Sequence, residues 1–154
     1  RRVASSASES RLAADYHDRM STTAADPIRY VKSSAKSVAQ AQQDLEAAIA
    51  ARKFSVLHVY DLKSKLHEKG FELAPEVRVL ELCNAAQAEK VLKDDITMNM
   101  ALPCRISVWQ EGGTTRIGML RPKALLSMLS SSPVLAKIAA EVETAMVAMV
   151  DAAC

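Results

Sequence analysis

The sequence predicts an α+β domain: one small, mostly antiparallel sheet of about five strands, helices packed on one of its faces, and a long C-terminal helix. Three observations predict it. Residues 102–122 read LPCRISVWQEGGTTRIGMLRP, and within them residues 105–110 and 115–120 face each other across Glu111, Gly112, Gly113 and Thr114. The two glycines supply the positive φ that a tight hairpin demands. Apolar residues recur at spacings of three and four over residues 38–49 and again over 135–149, the period of a helix with one buried face. Hydrophobic residues make up 49% of the chain but aromatic ones only 4%, so the core must be built from Leu, Val, Ile, Met and Ala, which pack helices well.

A chain of 154 residues suits a single core. Its net charge of +2 arises from 20 basic and 18 acidic side chains interspersed along the sequence, which gives no one-signed field for a nucleic-acid backbone to select. The longest strongly apolar run, residues 145–150, is far short of the roughly 20 residues a membrane-spanning helix needs, so a soluble or peripheral protein is expected. Cys83, Cys104 and Cys154 form an odd set without CxxC spacing, which suggests neither a disulfide framework nor a zinc ribbon.

Residues 1–27 carry many serines and alanines, with Val3, Leu12, Tyr16 and Met20 as their larger apolar groups. That composition cannot build a core and reads as an extended arm with a short helix over 9–20. It is either a solvated arm or the remnant of a processed import leader, against which Glu9, Asp15 and Asp18 weigh. The folded domain is expected over residues 28–154.

Residues 28–32 suit a short strand, and Ser37 suits the N-cap of the helix that follows, where Val38, Ala41, Leu45, Ala48 and Ile49 form one stripe. That helix is expected to end near Lys53, with Arg52 and Lys53 favouring its negative end. Residues 54–60, FSVLHVY, predict a strand with Phe54, Val56, His58 and Tyr60 on one face and Ser55, Leu57 and Val59 on the other. A charged helical turn over 61–69 is stopped by Gly70, and Pro75 precedes a strand over 77–82. Asn84 opens a helix striped by Ala85, Ala88, Val91 and Leu92. After the hairpin, Pro122 suits the first turn of a helix over 123–129, and Ser130 to Ser132 with Pro133 start the last one. There Leu135, Ile138, Val142, Met146 and Met149 share a face that either joins the core or docks a partner.

The order of these elements, the segments Phe54-Ser55-Val56-Leu57, Asp61-Leu62 and Leu80-Glu81-Leu82-Cys83-Asn84, and above all Leu102-Pro103-Cys104-Arg105-Ile106-Ser107-Val108 with its hairpin resemble the domain of unknown function 302 (DUF302) family. The resemblance runs from about Tyr30 to the C-terminal helix. It implies a β-α-β-β-β-β-α sheet with helices on one side, a tendency to dimerise, and no assigned chemistry. Cysteines stand at the positions of Cys83 and Cys104 in some members. The Asn-Pro that the pattern expects after the third strand is here Asn84-Ala85.

Cys83 closes one predicted strand and Cys104 opens another, so they are a candidate thiol pair for redox or sulfur chemistry, or else small buried hydrophobes. A metal site would need His58 to join them, and no spacing favours it, so no metal or cofactor is expected. Asp94-Asp95 is the only adjacent carboxylate pair, but neighbours diverge and more often cap or solvate than catalyse. Gly112-Gly113 is followed by a strand and not a helix, so a phosphate loop is discarded. Trp109 and Tyr60 are expected in the core or as an interface anchor, with the core favoured. With no motif for nucleophilic, phosphoryl or hydride chemistry, the sequence points away from an enzyme. It favours an interaction or accessory domain that contacts protein partners, or a second copy, through Tyr16, Met20, Met146 and Met149, peripheral to a larger organellar membrane complex. The alternative is a thiol-based redox or sulfur-handling protein using Cys83 and Cys104, and a third option is a small-ligand pocket between sheet and helices. An organelle, plastid or mitochondrion, and a bacterial cytoplasm or periplasm are all compatible compartments.

Overall fold

A computed structural model describes residues 26–154. The arm expected over 1–27, its short helix, and the partner contacts expected of Tyr16 and Met20 fall outside the described residues, save for Asp26 and Pro27. Five strands, β1 (Arg29–Ser34), β2 (Ser55–Asp61), β3 (Val77–Cys83), β4 (Cys104–Glu111) and β5 (Thr114–Leu120), form one antiparallel sheet in the order β1-β5-β4-β3-β2. The helices are α1 (Val38–Ala51), α2 (Leu62–His67), α3 (Ala85–Asp94), α4 (Pro122–Leu129) and α5 (Pro133–Ala153), with a 3-10 turn over Ile96–Ala101. The fold is α+β with a long C-terminal helix, as the sequence predicts.

The core lies between α1, α5 and one face of the sheet. Leu80 and Leu82 of β3, Ile106 and Val108 of β4, and Ile117 and Met119 of β5 are buried there. Because side chains alternate along a strand, Val79, Glu81, Arg105, Ser107, Trp109 and Gly118 point to the other, open face, away from α1 and α5. From α1 come Val38, Ala41, Leu45, Ala48 and Ile49, the stripe read from the 3.6-residue period. Each fully buried Leu or Ile contributes about 1.5–3 kcal/mol relative to exposure.

Met146 and Met149 are also fully buried, at 1% and 0% exposure, so the α5 stripe joins the core and presents neither methionine to a partner. Ser37 caps α1 by accepting from the Gln40 amide. The helix ends at Ala51, earlier than Lys53, because Lys53 turns left-handed at φ 62°. The Lys53 and Phe54 amides then donate to the Ala50 and Ile49 carbonyls, a helix-ending pattern that usually carries glycine. Gly112 and Gly113 make the two-residue turn with φ of 55° and 79°, and Glu111 pairs with Thr114 across it.

The face assignment for β2 needs correction. The pairing with β3 shifts between Val56 and His58, so a bulge inserts one residue and reverses the alternation beyond it. Val56 and Val59 pack against the core, while His58 and Tyr60 project from the open face. The two ends of the described chain are tied together. Besides the β1–β5 pairing, the Tyr30 hydroxyl donates to Asp151 Oδ1 at 2.6 Å, and Lys36 Nζ donates to the Ala153 carbonyl at 3.0 Å.

Candidate functional site

The open face of the sheet, opposite α1 and α5, holds the unspent chemistry of the molecule. At its β2–β3 side, the His58 ring meets the Tyr60 ring edge-on with centroids 4.4 Å apart, and the Tyr60 hydroxyl donates to Glu81 Oε2 at 3.2 Å. That carboxylate raises the Tyr60 phenol above its ordinary pKa. Arg105 of β4 completes the row, donating from Nε and Nη2 to Glu81 Oε1 at 3.2 and 2.9 Å. Val77 and Val79 stand half-buried beside it.

At the β1–β5–β4 side, Trp109 lies across the strand toward Gly118. A Cβ on Gly118 would sit 3.1 Å from Trp109 Cη2 and 2.9 Å from Val31 Cγ2, so the missing side chain is what admits the indole. Trp109 is therefore half-exposed on the open face and Tyr60 exposed there; neither joins the core. The sequence favoured the core because the alternation in β4 does not say which face the helices cover.

Cys83 and Cys104 line the same narrow cleft beneath α3 and α5. Leu82 pairs with Cys104, and Cys83 follows Leu82, so the two cysteines stand at neighbouring positions where β3 ends and β4 begins. Both are free. Burial first, and the neighbouring Cys83 next, push the Cys104 thiol up to about 11, well past the small pull of Arg105 in the other direction. At neutral pH Cys104 thus keeps its proton and is a poor nucleophile.

The remaining candidates separate. Asp94 Oδ2 accepts from the Ser132 hydroxyl at 2.7 Å, whereas Asp95 caps the 3-10 turn through the Thr97 amide and hydroxyl, which hold its carboxyl below the usual range. His67 Nδ1 lies 2.9 Å from Glu72 Oε1 on the exposed end of α2. Among the described residues, no three His, Cys, Asp or Glu side chains gather in a way that would hold a metal ion. The open face itself was missed from sequence; the signal that pointed to it was Arg105, Ser107 and Trp109 alternating with the apolar Ile106 and Val108.

The family model for domain of unknown function DUF302 matches residues 30–153. The chain belongs to the DUF302 family. A solved structure of an uncharacterized conserved DUF302 protein from Bacillus stearothermophilus superposes with a TM-score of 0.79 at 32% identity, over 84% of this chain and 100% of that one. No curated protein matches the chain. The departure at Asn84-Ala85 leaves this DUF302 domain with a working helix start, since the Asn84 side chain accepts from the Gln87 amide and caps α3.

Proposed function

We propose that this DUF302 domain is a non-catalytic interaction module, an accessory subunit that offers the open face of its sheet, opposite α1 and α5, to a protein partner. The observation that carries the reading is that face, where exposed Tyr60 and half-buried Val77, Val79 and Trp109 stand among Glu81 and Arg105. Five strands about 4.8 Å apart and about 20 Å long make a face of about 500 Å². A standard interface takes about 800 Å² from each partner, so the face and its rim are of the size a protein needs. Aromatic and arginine side chains are the types enriched in such surfaces. Among the described residues no helix is long and apolar enough to cross a membrane, in keeping with a subunit held at the periphery of an assembly.

The thiol reading has one observation in its favour, the shared cleft of Cys83 and Cys104, and the protonated state of Cys104 weighs against it. Size exclusion of the native protein from its source is the test. The reading expects migration in a particle much larger than the monomer, and release from it by Val79→Arg with the melting temperature unchanged. Migration of the native protein as a monomer, or as a pair of copies alone, would overturn the accessory-subunit reading.

A further inference from the structure

At the β1–β5–β4 end of the open face lies a groove of about 350 Å³, at the small end of the roughly 300–1,000 Å³ range of small-molecule sites. Val31 and Trp109 stand over the bare backbone of Gly118, and Leu102, Pro103 and Leu125, from the segments before β4 and after β5, line it as well. These surfaces are apolar. The charged residues that line it are Arg29 and Arg105, with no carboxylate among the lining residues.

Arg29 stands opposite Leu120 on the neighbouring strand, and the β4–β5 register continues to bring Arg105 to the other side of Leu120. The two arginines therefore stand on either side of Leu120 at one end of the groove. Each carries five N–H donors. Arg29 spends one on Asp26 Oδ2 at 2.8 Å, and Arg105 spends two on Glu81 Oε1, so donors remain on both. Asp26 and Glu81 already offset the two positive charges, which favours a singly charged anion over a phosphate dianion.

We propose that this groove binds a small amphipathic carboxylate, its apolar tail between Val31 and Trp109 and its head group on Arg29 and Arg105. The groove shares Trp109 and Arg105 with the partner-facing surface, but Arg29, Val31 and Gly118 belong to β1 and β5, away from Tyr60 and Val79 on β2 and β3, so ligand binding by the isolated chain goes beyond the interaction reading and does not depend on it. Trp109 is the single tryptophan of the chain and reports the groove directly.

The test is titration of the full chain with decanoate below its micelle-forming concentration, followed by Trp109 emission and by native mass spectrometry. The expected result is a saturable, one-to-one complex, at least tenfold weaker with decylamine and at least tenfold weaker in Arg29→Ala/Arg105→Ala. Val79→Arg should bind decanoate as the parent chain does. The comparison of decanoate with decylamine needs no variant, and far-UV circular dichroism checks that the double variant folds. No saturable change up to millimolar decanoate would overturn the proposal. So would equal binding of the acid and the amine, or uptake of several equivalents per chain.

Discussion

Replacing Gly118 by alanine tests the open face at its most crowded point. The added methyl would stand 2.9 Å from Val31 Cγ2 and 3.1 and 3.2 Å from Trp109 Cη2 and Cζ3. Comfortable carbon contacts lie at about 3.5–4.0 Å, so the shortfall against valine is about 0.6 Å or more. Val31 is β-branched and held in β1 by its pairing with Gly118, so the strain falls on a stiff side chain or on the indole. Overpacking of this kind costs about 1–3 kcal/mol. Alanine restricts the unfolded chain more than glycine and returns about 0.4–1 kcal/mol. The net is a destabilisation of about 1–2 kcal/mol, and at about 2–4 °C per kcal/mol for a domain of this size the melting temperature should fall by about 2–8 °C. Thermal unfolding by circular dichroism gives the shift, and Trp109 emission should move to the red as the ring is lifted toward water. Val31→Ala in the same chain should relieve much of the loss, a coupling of about 0.5–3 kcal/mol in the double-mutant cycle. A Gly118→Ala protein that melts at or above the parent temperature with unchanged emission, or a strictly additive cycle, would refute the close packing of Trp109 on the glycine.

Lys53→Gly should raise stability by up to about 1 kcal/mol, because the left-handed φ of 62° costs a lysine about 1–2 kcal/mol and glycine offsets part of that with its own entropy; urea unfolding measures it. Ser37→Ala should cost about 1 kcal/mol in the same assay through the lost cap on the Gln40 amide. Cys104, with its thiol pushed up to about 11, should resist iodoacetamide in the folded protein at pH 7 and react readily once guanidinium unfolds the chain, as peptide mass spectrometry would show. Asp26 is held at about 2 by the Arg29 and Ile28 amides, below its ordinary 3.8, so its contribution is present above pH 4 and lost as the pH falls toward 2. The difference in melting temperature between Asp26→Asn and the parent should therefore shrink over that window.

Local signals in the sequence carried most of the elements. The Ser37 cap, the α1 stripe and the Gly112-Gly113 turn each depend on neighbours within a few residues, and each stands in the structure where the pattern put it. What failed was the assignment of faces. One inserted residue between Val56 and His58 reverses every later side chain in β2, and a bulge leaves no mark in a run as short as FSVLHVY. Trp109 and Tyr60 were drawn toward the core by their size, yet which side of the sheet is covered depends on α1 and α5 packing across distant strands. The same long-range packing took Met146 and Met149 inside. The strand order, with β1 beside β5, is likewise a product of tertiary packing.

The pairing of β1 with β5, together with the bonds of Tyr30 to Asp151 and of Lys36 to the Ala153 carbonyl, has a consequence for synthesis. On the ribosome, β1 emerges early but must wait for roughly 85 further residues before its partner β5 is complete, and for α5 before the apolar side of the sheet is sealed. The β2–β3–β4 meander can form meanwhile, with an unfilled border along β4 open to other nascent chains. Cooperative closure thus comes late in translation, so a stalled or shortened product should be cleared by proteases and not persist as a partly working domain.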